Sequence, residues 1–384
     1  MKSIIENKKL VKKIKKVTRA WFQWQLKLAH CLGGRWALSY TMNAVCGAYE
    51  KVMGEYCAYD IRPKTADKFV SLKLVNPDLP PYAVVLQGPI MTENNFTLET
   101  VRFYKKIFSD GKIIVSTWNT TSDEQVKAFE REGVVVVTSQ LPKVSGLMNV
   151  NYQFASAYAG IRKAKELGCE YVFKTRSDQR IYRNNTYEMM YALLKSFPCK
   201  KPELQKERII FMASRDGNML WSCHYNDCLS FGQIDDMEYF YHMEDDLRYR
   251  SRNEVCQQLG KITTRRLGTQ DGTNAETFII SRYLKKKGYS LRYDIQEHWR
   301  IATEIFLCIS ELDLNLYWLD KYDHRFNNAL RGGSYLPDDS EQKAMTYNFD
   351  FFNWLTVSGG AIQYDEELEK FQVKQCNSIQ WTVI

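Results

Sequence analysis

The chain has 384 residues, 45% hydrophobic and 14% aromatic, enough for one large domain or two ordinary ones around a proper core. With 26% charged residues and only 9 prolines, wholesale disorder and collagen-like structure are excluded. The net charge is +8, yet residues 1–35 hold ten basic side chains against one acid, Glu6, so the remainder is near neutral. A nucleic-acid binder spreads its basic footprint over the folded surface, so no nucleic-acid partner is expected.

The N-terminal segment reads as an amphipathic helix. Leu10, Ile14, Val17, Trp21, Trp24 and Leu28 recur at steps of three and four, with Lys8, Lys9, Lys12, Lys13, Lys15, Lys16 and Arg19 between them. Basic and aromatic residues in this pattern suit the surface of an anionic membrane, which makes residues 1–35 the candidate membrane contact. The most apolar stretch, Trp36 to Tyr49, is short and interrupted by Ser39, Thr41 and Asn43, so it does not read as a span. No secretory signal is recognisable, and a cytoplasmic protein is expected. The expected organisation is residues 1–60 as the basic helical region, 61–81 as a Pro-containing linker, 82–304 as the main domain and 305–384 as a C-terminal extension packed on it.

Strands are expected at Tyr82–Leu86, Lys112–Trp118, Val134–Thr138, Tyr171–Lys174 and Arg208–Ala213. Helical patterns fall at Thr97–Phe108, Asn151–Leu167 and Glu276–Lys287. The strands are continuously apolar rather than alternating, which indicates burial on both faces and therefore a mostly parallel sheet with helices outside. The ten cysteines form no paired CxxC knuckle and read as small buried hydrophobes. Asn95-Phe96-Thr97, Asn119-Thr120-Thr121 and Asn184-Asn185-Thr186 match the glycosylation acceptor pattern, which also arises by chance.

In open α/β sheets, ligands bind beyond the carboxyl ends of the strands. That rule selects Gln87-Gly88-Pro89-Ile90, Ser116-Thr117-Trp118 and Thr175-Arg176-Ser177-Asp178. Neither GxGxxG nor GxxxxGK[ST] occurs, which disfavours dinucleotide and P-loop folds. A carboxylate leaving an apolar strand, as Asp178 does, can ligate a hard divalent cation that bridges phosphates. Arg176 and Arg180 can neutralise diphosphate oxygens in bidentate fashion. Candidate general bases are Asp227, Asp235, Asp236 and Glu276, the last at the start of a helix. The histidines show no metal or hydrolase spacing and read as structural.

Taken in order, Leu86-Gln87-Gly88-Pro89-Ile90, Ile114-Val115-Ser116-Thr117-Trp118, Asn149-Val150-Asn151-Tyr152-Gln153 and Lys174-Thr175-Arg176-Ser177-Asp178 resemble WavE-type lipopolysaccharide-synthesis proteins. Asp227-Cys228-Leu229-Ser230-Phe231-Gly232 and Ala275-Glu276 look like later blocks of that family. The resemblance implies a GT-A-like fold and a glycosyltransferase of bacterial surface-polysaccharide synthesis. Its donor would be a nucleotide sugar and its acceptor a lipid-linked saccharide or oligosaccharide, at the cytosolic face of the inner membrane. It also places Ser177-Asp178 where such folds put their DXD metal carboxylates. Here position 176 is Arg and Gln179 follows Asp178, which leaves open a single-Asp site for Mn2+ or Mg2+ or a metal-independent one. Gln87 to Ile90, Ser116 to Trp118, Arg176, Ser177 and Arg180 would then hold the nucleotide. The rivals are a phosphosugar or nucleotidyl transferase on a similar sheet, which needs no acceptor base, and a non-catalytic membrane assembly factor, which binds no nucleotide.

Overall fold

A computed structural model of the chain describes residues 8–54, 56, 61–71, 78–146, 149–213, 219–249, 275–319, 349–371 and 382–383. Two compact units divide between Arg62 and Pro63. The first contains the helical segment α1 (Lys8–Met53), two helices joined at a break where Gly33 and Gly34 leave helical geometry, the latter with φ at 57°. Among the described residues no helix is long and apolar enough to cross a membrane.

The second unit is built on a seven-stranded sheet. Its strands are β1 (Tyr82–Gln87), β2 (Lys112–Trp118), β3 (Val135–Ser139), β4 (Tyr171–Arg176), β6 (Ile209–Ala213), β7 (Ser230–Gln233) and β9 (Phe306–Ser310), in the order β3-β2-β1-β4-β7-β6-β9. All run parallel except β7, which is antiparallel to both neighbours. Every residue of β1 and β6 is buried, as continuous apolar strands require when helices cover both faces. The α/β, mostly parallel architecture expected from the sequence is therefore present.

Between the strands run α2 (Phe96–Ile107), α3 (Asp123–Arg131), α4 (Val150–Glu166), α5 (Thr186–Ser196), α6 (Ile234–Tyr241), α7 (Ala275–Lys286) and α8 (Ile295–Ile305). Helix α4 lies close on the sheet because Gly160 permits it. A Cβ there would come within 2.4 Å of a Val85 methyl and 3.1 Å of Ser116 Cβ. Helices α2, α4 and α5 each begin just after an asparagine in the left-handed region, Asn95, Asn149 and Asn185. In two of the three glycosylation-like triplets, then, an asparagine shapes a helix entry, the acceptor Asn95 itself in one and Asn185, next to the acceptor Asn184, in the other. Their threonines are buried and bonded inside, Thr97 to the Ser177 carbonyl and Thr186 to the Arg183 carbonyl.

Beyond residue 305 the chain is more than an appendage. Strand β9 completes the sheet beside β6, and α9 (Phe351–Ser358) buries Trp354, whose indole N–H donates to the carbonyls of Ala302 and Phe306. Two short ribbons finish the unit. One pairs β5 (Gln179–Arg180) with β10 (Tyr317–Trp318), the other β8 (Arg248–Tyr249) with β11 (Thr382–Val383).

Candidate active site

The chain proceeds outward from β1 to β2 and β3, then returns to place β4 on the other side of β1. That reversal makes a topological switch point, where an open α/β sheet offers a crevice at its carboxyl ends. All three segments selected from the sequence meet there, Gln87 pairing with Ser116 on one side and with Arg176 on the other. The Ser177 N–H donates to the Gln87 carbonyl at 3.0 Å, and the Ser177 hydroxyl donates to the Pro89 carbonyl at 2.6 Å.

Gly88 sits at φ 115°, a conformation that L side chains rarely adopt, and a Cβ would approach Ser177 Oγ to 3.1 Å. Its N–H donates to the Ser116 carbonyl. Thr97 braces the turn from beneath, accepting from Met91 N–H and donating to the Ser177 carbonyl. The outcome is a rigid backbone lip that ends at exposed Pro89 and half-buried Ile90. The side chains of Gln87, Ser116, Thr117 and Trp118 are buried. Gln87 Oε1 lies 2.6 Å from Ser156 Oγ, Ser116 donates to the Ser156 carbonyl, Thr117 meets Thr121, and Trp118 packs edge-on against Tyr152. These residues hold the lip from behind instead of opening onto it.

Next to the lip, Arg176 and Asp178 form a two-pronged ion pair, Nε to Oδ1 and Nη2 to Oδ2, each 2.9 Å, and both side chains remain partly exposed. Burial opposes the Arg176 charge, but the Asp178 hydrogen bonds and the nearby Cys228, Asp178 and Asp227 raise its pKa further above the ordinary arginine value. Trp318 lies over the guanidinium, its ring centroid 5.4 Å from Cζ, brought there by the β5–β10 ribbon and a Leu319 N–H bond to the Asp178 carbonyl.

Behind this pair lies Lys174, fully buried. It donates to the Asp227 carbonyl and faces the Tyr241 ring, and burial lowers its pKa. Asp227 is itself buried, and its Oδ2 has no hydrogen-bond partner among the described residues. Cys228 is 3.5 Å from the other oxygen, and burial, reinforced by Asp227 and Glu276, pushes its thiol well above the usual range. Glu276, in the first turn of α7 and half-buried, therefore belongs to the same neighbourhood.

Three expected site residues lie elsewhere. Arg180 is sealed in the core between the rings of Phe96 and Phe103, at 4.3 and 4.5 Å. Four of its five N–H donors go to the Thr100 hydroxyl, the Lys64 and Phe96 carbonyls and the Tyr182 hydroxyl, and burial keeps the group from a diphosphate. Asp235 and Asp236 stand in the first turn of α6, after β7 has run antiparallel to the amino end of β4. Asp236 accepts from the N–H groups of Lys206 and Glu207, and burial raises its pKa, so it secures a loop at the opposite end of the sheet.

The donor set also fits a divalent cation poorly. Both Asp178 oxygens already receive guanidinium protons, and among the described residues no group of three His, Cys, Asp or Glu side chains is placed to hold a metal ion. A cation at Asp178 would have to displace a permanently charged arginine. Sequence reasoning does not select Lys174, Ser156 or Thr97. Of these only Lys174 carries a signal, a lysine inside an otherwise apolar strand, while Trp318 is hidden among the C-terminal aromatics.

The fold and site define a mostly parallel α/β protein with a partly exposed ion pair at its switch point. The model for the family described as WavE lipopolysaccharide synthesis matches residues 82–304, more than half of the chain, and the chain belongs to that family. No curated protein matches. Among solved structures, a mannose-1-phosphate geranyltransferase from Thermus thermophilus aligns at 10% identity and TM-score 0.31, over 68% of this chain and 81% of that one. The 4-diphosphocytidyl-2C-methyl-D-erythritolsynthase from Anaerococcus prevotii aligns at 11% identity and TM-score 0.29, over 53% and 98%. Likeness this distant adds nothing to what the strand order already establishes.

Proposed function

We propose that the protein is a glycosyltransferase with a GT-A-like site, moving a sugar from a nucleotide donor to a lipid-linked saccharide in lipopolysaccharide or capsule synthesis. The observation that carries this reading is the meeting, at the carboxyl ends of β1 and β4, of the Gly88–Pro89 lip with the accessible Arg176–Asp178 pair. A lip of backbone suits the flat face of a nucleotide, and a guanidinium suits a diphosphate leaving group. In this reading Arg176 exchanges its carboxylate partner for the diphosphate, with Lys174 supplying a second positive charge from the interior. Trp318 keeps the guanidinium in plane.

Inverting transfer also needs a carboxylate to take the acceptor proton. Glu276 suits that task best because it is half-buried, whereas Asp227 is enclosed and better placed to hold the charge balance of Lys174 and Arg176.

The test is calorimetric titration of the purified chain with UDP, GDP, CMP and their sugars, with Mn2+ and with chelator, beside Arg176→Ala and Glu276→Gln. The expected result is binding of one nucleotide class that survives chelation, is lost in Arg176→Ala and is kept in Glu276→Gln. Turnover in Glu276→Gln should fall by about 100-fold or more. Transfer that survives neutral substitution at both Glu276 and Asp227 would point to phosphosugar or nucleotidyl transfer. No nucleotide binding would leave the assembly factor.

A further inference from the structure

The first unit displays what the second hides. On α1, Val17, Trp21, Trp24, Leu28 and Leu32 are all exposed, between 45% and 79%. At 100° per residue these five positions fall within one stripe about 80° wide. Lys13, Lys16, Arg19 and Lys27, also exposed, occupy the adjoining arc and leave the stripe clear. Beyond the Gly33–Gly34 break, Arg35 is exposed, and so are Trp36 and Tyr40, their rings stacked 6.0 Å apart. A run of large apolar side chains this long is a binding face rather than ordinary surface.

We infer that this stripe is a docking surface for an anionic lipid bilayer, with α1 lying in the plane of the interface. Charge complementarity selects the occupant. A second copy of the chain would bring the same basic arc against itself, whereas anionic headgroups neutralise it. The stripe chemistry agrees. The stripe shares the three-and-four spacing of a homomeric helix seam but sets tryptophans at 21 and 24, where such a seam favours aliphatic residues; tryptophan and tyrosine instead prefer the headgroup boundary, where the ring is buried and the polar edge stays wet. The Gly33–Gly34 break lets the segments before and after it settle on a surface at separate angles. Each basic residue near such a surface contributes on the order of fivefold in affinity, and each inserted aromatic adds apolar burial.

The test is co-sedimentation of the full chain with vesicles of phosphatidylcholine alone and of phosphatidylcholine mixed with phosphatidylglycerol, in the absence of any nucleotide. It is therefore read independently of the transfer chemistry. Two triple variants accompany the parent: Trp21→Ser/Trp24→Ser/Leu28→Ser and Lys13→Glu/Lys16→Glu/Arg19→Glu. All six side chains are exposed, so the fold should be unaffected, and circular dichroism with light scattering checks this. The expected result is binding to the mixed vesicles only, weakened at least about tenfold by the apolar triple and about 100-fold by the charge triple. Equal binding to both vesicle types would overturn the anionic requirement. No binding to either would overturn the proposal outright, as would a dimer that the apolar triple dissociates while vesicle binding is absent.

Discussion

The two ends of the sheet bury charge in different ways. At the amino end, Asp236 is held by two backbone N–H groups and Arg208 by the carbonyls of Phe197, Pro198 and Phe306. These bonds all run to the main chain, so the charges fasten loops to strands. At the carboxyl end, Arg176 and Asp178 are satisfied chiefly by each other and stay within reach of solvent, with an Asp227 oxygen enclosed nearby that has no hydrogen-bond partner among the described residues. Side chains that bond one another can change partners, while those bonded to backbone cannot without local unfolding. The first pattern builds a scaffold, and the second leaves a site.

Paired substitutions put that contrast at risk. Arg208→Met should lower stability by about 3 kcal/mol, because three carbonyls lose their donor, yet leave nucleotide affinity of the folded protein unchanged. Urea unfolding and calorimetry measure the two quantities separately. Arg176→Ala should do the reverse, weakening nucleotide-diphosphate binding by about 100-fold while shifting the unfolding midpoint little. If the two arginines behave alike, the distinction between the ends fails.

A smaller effect is expected of Asp236→Asn, about 1–2 kcal/mol of stability at neutral pH with transfer activity retained per folded molecule. A gradual effect, spread over several pH units, is expected of the loop that leads into β7. His224 is buried against Trp221 with no partner for Nδ1 among the described residues, and burial, helped by His298, lowers its pKa to about 3 from an ordinary 6.5. Between those values the unfolded chain binds a proton that the folded chain refuses. Stability should therefore fall as pH drops from 6.5 towards 3, by about 1 kcal/mol per pH unit. His224→Phe should flatten that slope in urea titrations across the same range, whatever it does to absolute stability.

Much of the framework is legible from residues alone. The continuous apolar runs at 82–86, 112–118 and 171–174 correspond to β1, β2 and β4, and the Glu276 helix lies within one residue of α7. Strand β7 is not anticipated, because Ser-Phe-Gly-Gln is short and only weakly apolar, and its partners are fixed by the sheet and not by local preference. Helix α3 escapes notice although Ser122 and Gln125 form a capping box. The site is half visible. Strand ends locate Gln87–Ile90 and Arg176–Asp178, but sequence spacing cannot tell an arginine that faces the crevice from one four positions later that is sealed in the core. Nor does the pair Asp235-Asp236 reveal that its second member is spent on backbone. The run of three acids at 244–246 likewise does not reveal that Asp246 is buried, its N–H donating to the Asn151 side chain.

The family match ends at residue 304, two residues before β9 begins, and the indole over Arg176 arrives only at 318. On the ribosome, residues 82–304 would thus emerge with the β6 edge uncovered and the crevice lacking one wall. Completion of the crevice is a late event in synthesis, and a gene trimmed at the family boundary would yield an aggregation-prone sheet instead of a minimal working unit.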